Sequence, residues 1–259
     1  MTCCGSRDVS AALRVERDFE GGGPRTLVQC ASCGLVFLDP RPSPAELAAL
    51  LPVYRERTQR ILQELRASWF GRFGMRMIRK GRRPRGNPGR VLDIDIDFIA
   101  DAENRLSAFE ANSFDRITMW QVLEHAENPA RVLAQVERVL RPGGRVVLEV
   151  PNYASVWARL FGRFWFPLEL PFHLYQFSPA ALSRMLRNVK LEVKELTGEP
   201  APAQITWCLD VLWCHLRNKP WSGRLLWSPT AVIALYPLEA LLAKFRISNH
   251  FRVTAAKAE

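Results

Sequence analysis

Hydrophobic and polar positions alternate most legibly between residues 90 and 152. Phe114-Asp115-Arg116-Ile117-Thr118-Met119-Trp120 is a short apolar-rich run suited to a buried strand. Asn128-Pro129 then opens a helix, with Asn at the cap and Pro in the first turn. Its apolar positions Val132, Leu133, Val136, Val139 and Leu140 recur at helical spacing, and Pro142-Gly143-Gly144 is expected to stop it. Residues 145–150 read as a second strand. Strand, helix and strand with short connections predict a parallel, right-handed crossover in an α/β sheet. Upstream, Leu92, Ile94, Ile96, Phe98 and Ala100 alternate with Val91, Asp93, Asp95, Asp97 and Ile99. The alternation predicts one extended strand over 90–100 with three aspartates on one face. Such a face is ordinarily solvated, and less often binds a hard cation. Downstream, Ser178-Pro179 caps a helix through Leu186, and residues 191–196 form a further strand.

The flanks carry different signals. Cys30-Ala31-Ser32-Cys33-Gly34-Leu35 is a knuckle whose tight turn aims two thiolates at one zinc ion. A second pair would come from Cys3 and Cys4, although the position that would complete a regular spacing, residue 1, is Met. The plainer alternative is a metal-free remnant with its strands, 27–29 and 35–38, still paired. Ser43-Pro44-Ala45-Glu46 starts a helical region that continues, with breaks, to about Lys80. Arg66, Arg72, Arg76, Arg79, Lys80, Arg82, Arg83, Arg85 and Arg90 follow one another with no acid between them, so much of the net charge of +10 is local. That run packs an apolar face and solvates its arginines, lies on an anionic membrane, or faces nucleic acid, nucleic acid being least favoured. Residues 203–244 hold four tryptophans (Trp207, Trp213, Trp221 and Trp227) and two apolar runs. The second, 231–245, contains Pro237, Glu239 and Lys244 and is too short and too polar to span a bilayer. It reads as a helical pair packed on the domain or as an interfacial anchor. Cys208 and Cys214 read as buried thiols. With 259 residues, 48% of them hydrophobic, and a polar N-terminus, the expectation is a cytoplasmic protein with a real core, peripheral to a membrane if it meets one.

SFDxIxxxxVLEH, NP, a helix, then LRPGGRVVLEVPN resembles the second half of the class I S-adenosylmethionine-dependent methyltransferase domain. Pro171-Phe172-His173-Leu174, followed by Phe177-Ser178-Pro179, resembles the HLYxFSP segment of one branch of that family, and 35–47 resembles the text that follows its zinc ribbon. The likeness runs from about Arg90 to Leu196. It implies a Rossmann-like α/β methyltransferase sheet with an N-terminal zinc-ribbon-like module and a C-terminal helical, apolar segment that closes on a final strand at 251–257. The expected divisions are 1–41, 42–89, 90–200 and 201–259. One departure is plain. Ile94 leads at once into a segment resembling the family's third strand and its DAE turn, and no glycine occurs between Arg90 and Gly143. The glycine-rich loop, first helix and second strand, with its ribose-binding acid, are therefore missing, and the sheet is expected to be incomplete.

By resemblance, Asp93, Asp101, Ala102, Glu103, Trp120 and Gln121 would hold S-adenosylmethionine, and the aromatic segment 153–172 would cover a substrate pocket. His173 is the first choice for a general base and His125 the second, since imidazole titrates near neutral pH. The plainer reading makes Glu124 and His125 a helix-start pair and His173 a packed residue. Two functions follow. One is methyl transfer to a small molecule or a glycan or lipid precursor. The other is a catalytically inactive methyltransferase-like scaffold at a membrane surface or a partner enzyme.

Overall fold

The computed structural model describes residues 8–16, 23–67, 89–95, 98, 101–219 and 229–258. Cys3, Cys4 and the basic run from Arg72 to Arg85 lie outside them. Two sheets organise the described residues. The larger has five strands: β4 (Val91–Ile94), β5 (Phe114–Trp120), β6 (Leu140–Pro151), β8 (Leu191–Glu199) and β9 (His250–Lys257), in the order β4-β5-β6-β9-β8. β4, β5 and β6 are parallel, and β9 runs antiparallel between β6 and β8. The predicted crossover is present. β5 passes to β6 through α3 (Pro129–Val139), whose cap Asn128 accepts a hydrogen bond from the Arg131 N–H at 3.2 Å. Val132, Leu133, Val136 and Val139 form its buried face, against Ile117 and Met119 of β5 in one contiguous core.

Two elements differ from expectation. α3 stops at Val139, and β6 begins at Leu140 and runs through Pro142-Gly143-Gly144. Those residues form an irregularity inside the strand, where pairing jumps from Phe114↔Leu140 to Arg116↔Arg145. Gly143 has φ +72°, and a Cβ on Gly144 would sit 2.8 Å from Arg141 O and 3.2 Å from Phe114 O, so the glycines admit a kink in the strand. The strand expected over 90–100 ends at Ile94. Asp95 makes the difference. Its Oδ1 and its carbonyl both accept from the Phe98 N–H, at 2.9 and 3.1 Å, and the resulting turn breaks the alternation. Asp95 therefore lies outside the strand that holds Asp93, and Asp97 is not among the described residues. α2 (Ala102–Ser107) is the next described helix.

The second sheet is antiparallel: β1 (Val9–Val15), β2 (Arg25–Cys30), β3 (Val36–Leu38) and β7 (Tyr175–Gln176). The strands expected around Cys30 and Cys33 pair as β2 and β3. β7 belongs to the HLYxFSP segment, so that segment joins the two sheets: Leu38 N–H donates to Leu174 O (2.9 Å), and Tyr153 N–H to Phe177 O (2.9 Å). α1 (Pro44–Ala67) connects the modules, with Ser43 Oγ accepting from the Glu46 N–H. α4 (Val156–Phe161) and two short turns carry the aromatic segment, and α5 (Pro179–Asn188) is capped by Ser178. α6 (Pro202–Leu216) packs on α7 (Pro229–Lys244), and α7 packs on β8, where Gly198 meets the Ala243 backbone. Cys208 is fully buried, whereas Cys214 is only half-buried. Among the described residues no helix is long and apolar enough to cross a membrane.

Candidate active site

β5 ends at Trp120. Gln121 then takes a left-handed backbone (φ 55°), and its N–H donates to Glu149 O of β6 at 2.8 Å. Buried Val122 and Leu123 anchor this turn off the sheet. A single 3-10 turn, Leu123–His125, sets Glu124 and His125 at the carboxyl end of β5, the edge where open parallel sheets bind ligands.

The opposite wall comes from residues 166–174. Leu174 N–H donates to Glu124 O at 2.9 Å, and His125 Nδ1 lies 3.1 Å from Phe172 O. A carbonyl only accepts, so Nδ1 carries the His125 proton and Nε2 keeps its lone pair. The rings of His125 and His173 meet edge to face, with centroids 4.6 Å apart. His173 Nδ1 donates to Pro167 O (2.7 Å), and Nε2 lies 3.2 Å from Glu169 Oε2. With an acceptor on each nitrogen, His173 is an imidazolium. α1 closes the site: Tyr54 stacks 4.4 Å from Phe172 and 5.7 Å from His125, and Arg57 pairs with Glu169 at 2.8 Å.

Burial then sets the charges. Glu124 is 1% exposed, and neither carboxylate oxygen receives a well-formed hydrogen bond. Desolvation pushes it up to about 7, offset in part by the His173 cation and its own backbone N–H. Desolvation, then the nearby His173 charge, pushes His125 down to about 3, so it is neutral at pH 7. For Glu169 burial is the largest single influence and would raise it. The hydrogen bond from His173 and the charges of His173 and Arg57 outweigh burial and hold Glu169 at about 2. His173 shows the converse, with burial overcome by Glu169, and lies above the usual histidine value. Burial also keeps the Tyr54 hydroxyl protonated. The pocket wall is thus an ionised Arg57–Glu169–His173 chain beside a neutral imidazole and a carboxyl poised near neutrality. Ligand atoms of Glu124, His125 and His173 lie within 4.8 Å of one another. Since both His173 nitrogens donate, the acceptors left there are the Glu124 carboxylate and His125 Nε2.

The structure brings Glu124, His125 and His173 together. Tyr54, Arg57 and Glu169 complete the wall without a signal of their own in the sequence, except that Glu169 is the lone acid in the aromatic stretch 153–172. The residues expected to hold cofactor lie along the carboxyl edges of β4 and β5. Asp93 accepts from the Thr118 hydroxyl, and Asp101 Oδ1 accepts from Asn104 Nδ2 at 2.6 Å. Ala102 is buried in the first turn of α2, and Glu103 faces Arg131 at 3.4 Å. Trp120 lies under the Arg252 guanidinium (5.2 Å), which also bridges Glu149 (3.0 Å) and Glu199 (3.2 Å). Gln121 Nε2 is 3.4 Å from His250 Nδ1. Cys30 and Cys33 are buried at either end of a tight turn, with Gly34 N–H donating to Cys30 O at 2.9 Å.

A family model described as "Methyltransferase domain" matches residues 30–196. The chain belongs to the methyltransferase-domain family. Within it, a ubiquinone biosynthesis O-methyltransferase of Xanthomonas oryzae pv. oryzae is 29% identical over 116 residues, covering 42% of this chain and 48% of the relative. The enzyme of the same name from Thiobacillus denitrificans is 31% identical over 109 residues, covering 40% and 47%. The chain thus spans about half the length, 48%, of the curated relatives it matches. Among solved structures, a SAM-dependent methyltransferase from Archaeoglobus fulgidus aligns at 17% identity and TM-score 0.45, over 75% of this chain and 97% of that one. One from Mesorhizobium loti aligns at 13% and 0.40, over 69% and 95%. The match takes in the Cys30–Cys33 knuckle, β3, the crossover and the HLYxFSP segment, so parts of both sheets fall within it, while β1 and β9 lie outside.

Proposed function

We propose that the chain is an S-adenosylmethionine-dependent methyltransferase acting on a hydroxyl of a small molecule or a glycan or lipid precursor. The observation that carries this reading is Glu124: a fully buried carboxyl without a well-formed hydrogen bond, poised at about 7 at the carboxyl end of a parallel strand. A general base is most effective with a pKa near the working pH, and burial is how a carboxylate reaches it.

The adenosine end of the cofactor fits the residues present. Asp93 and Asp101 each keep acceptor capacity beyond the single hydrogen bond described, since a carboxylate can accept about four. Trp120 ends β5, the strand next to β4, and could offer its ring to the adenine. When bound, the cofactor supplies an electrophilic methyl group on a sulfonium. The chain's own residues do the rest. Glu124 takes the acceptor's hydroxyl proton. The His173 imidazolium, fixed by Glu169 and Pro167 O, favours the Glu124 carboxylate that must receive it. Neutral His125 directs the lone pair of Nε2 toward the acceptor hydroxyl, and Tyr54 and Phe172 exclude water. The O-methyltransferase names of the relatives support an oxygen acceptor.

A second reading has its own observation. No glycine lies between Arg90 and Gly143, and β4 is the edge strand among the described residues, so the methionine end of the cofactor finds no glycine turn there. On this reading the chain is a methyltransferase-like binding protein. Calorimetric titration with S-adenosylhomocysteine separates the two. Micromolar binding, weakened by Asp101→Ala, is expected for the enzyme. No heat from a cooperatively folded sample would leave the binding protein. Zinc at Cys30 and Cys33, with Cys3 and Cys4 as partners, is proposed separately, on the buried knuckle. Metal analysis should find about one zinc per chain, lost on Cys33→Ser.

A further inference from the structure

α6 and α7 present an outer face unlike that of an ordinary surface helix. Leu209, Trp213 and Leu216 recur at one helical face of α6, and Ile233, Leu241 and Phe245 are exposed on or just beyond α7. Leu216 and Phe245 are 71% and 68% exposed, and Trp213 50%. Large side chains at such exposure, on two helices packed side by side, are more than the singly scattered apolar positions of an ordinary surface. The exposed formal charges that these described segments carry have one sign. Arg217 and Lys219 follow α6, Lys244 and Arg246 close α7, and Arg159 and Arg163 lie on the adjoining α4 segment, all exposed. The acids of these described segments, Asp210 and Glu239, are buried, and Glu239 is spent on the Trp157 indole N–H and the Ala201 N–H.

We infer that this face docks on the surface of an anionic phospholipid bilayer. An apolar face carrying Trp and rimmed by cations is what an interfacial helix pair needs: area to bury among acyl chains and charge for the headgroups. Arg217 stacks 4.1 Å over the Trp213 ring, which sets the cation at the edge of the apolar surface, at headgroup depth. A second copy of the chain would bring the same positive rim against itself, and the helices are not long enough to span. The face also lies one helix from the site. The inner side of α6 holds the turn that fixes His173: Phe166 N–H donates to Cys208 Sγ (3.2 Å), Phe166 packs on Trp207 (4.7 Å), and the next residue, Pro167, accepts from His173. Docking therefore brings the Glu124 site close to the lipid surface, where a lipid precursor would be met. The docking itself does not depend on methyl transfer.

The test is co-sedimentation of the full chain with vesicles of phosphatidylcholine containing phosphatidylglycerol, compared with phosphatidylcholine alone. Binding to the anionic vesicles is expected, falling with salt. Leu216→Glu with Phe245→Glu should weaken it about tenfold or more, since each change removes a buried apolar side chain and adds a repelled charge. Cooperative thermal unfolding checks that the variant is folded. If it is not, Arg217→Gln with Lys219→Gln should weaken binding about fivefold per charge and reduce the salt dependence. Three results would each overturn the inference. The wild type could fail to bind anionic vesicles. A folded variant could bind unchanged, which would place the contact on the basic run 66–90. The face could instead mediate a concentration-dependent dimer, lost in the variant, without vesicle binding.

Discussion

The carboxyl ends of β4 and β5 are neighbours in one parallel sheet, yet they are finished in different ways. At the β4 end the described aspartates are served by a partner a few residues away or by the adjacent strand: Asp95 by Phe98, Asp101 by Asn104, Asp93 by Thr118. Beyond β5 the partners come from far along the chain, with Arg57 reaching Glu169 across 112 positions and Phe172 O serving His125 across 47. The difference teaches what burial demands. Exposed carboxylates beside an edge strand can be satisfied locally or by water. Four ionisable groups removed from water cannot, and the fold must bring α1, the aromatic segment and the HLYxFSP segment together to neutralise them. The β5 end is therefore pre-organised, and the β4 end is a shelf.

The sharpest way to break this comparison is to remove the group the β5 end is built around. Glu124→Gln should lower the methyl-transfer rate by about 10²–10⁴-fold, the usual loss for a general base, while S-adenosylhomocysteine affinity, which belongs to the β4 end, stays within about twofold of wild type. A comparable loss at both ends would mean that the two edges are not separable. Stability should respond almost as strongly. Glu169→Ala leaves the Arg57 and His173 cations buried without their carboxylate, and breaking a buried pair costs about 3–5 kcal/mol. Urea denaturation measures this. A loss below about 1 kcal/mol, the range of exposed pairs, would mean that the wall is more open to water than its burial implies.

The pH dependence sharpens the comparison further, because two buried groups oppose each other. His125, lowered from 6.5 to about 3, contributes stability present above pH 6.5 and lost as pH falls. Glu124, raised from 4.5 to about 7, acts the other way: the folded chain keeps its proton, so stability declines as pH rises from 4.5 to 7. Between pH 4.5 and 6.5 the two slopes cancel. Below 4.5, His125 is joined by Glu169, whose contribution is lost as pH falls from 4.5 toward 2. The wild type should therefore be flat in stability from pH 6.5 to 4.5 and drop steeply below. Glu124→Gln removes the opposing slope, so its stability should fall across that window by about 3 kcal/mol. Denaturation midpoints at pH 6.5, 5.5 and 4.5 read this directly, and a variant as flat as wild type would refute the opposed pair. His173, raised by Glu169, contributes stability that is present at acid pH and lost as pH rises through its folded value, outside this window.

How far the chain could be read in advance follows the same division. The crossover was legible because cap, helical spacing and strand run agree over 40 residues of local sequence, and Glu124, His125 and His173 were legible as a motif. Tyr54, Arg57 and Glu169 were not, since nothing local distinguishes Arg57 from the other arginines of α1, and its role exists only through a contact made in three dimensions. The misread boundaries have local causes that periodicity cannot see. The alternation through Ile96 and Phe98 is intact as a pattern, but the Asp95 side chain offers the backbone a turn. Pro142-Gly143-Gly144 carries the letters of a helix stop, yet it makes a kink inside β6.

The smallest effect tests the shelf itself. Asp101 makes one side-chain hydrogen bond, to Asn104, and gives no side-chain cap to α2, so Asp101→Ala should leave stability within about 0.5 kcal/mol of wild type, as for an ordinary surface change. If its second oxygen meets the ligand, S-adenosylhomocysteine should bind about three- to tenfold more weakly, the value of one hydrogen bond of ordinary strength. Glu103→Ala, which removes an exposed and long contact to Arg131, should change affinity less. Equal, unchanged affinities in both variants would move the ligand off the β4 edge altogether. The pre-organised β5 end would then stand as the binding site, with the shelf a structural border and not half of a cofactor cradle.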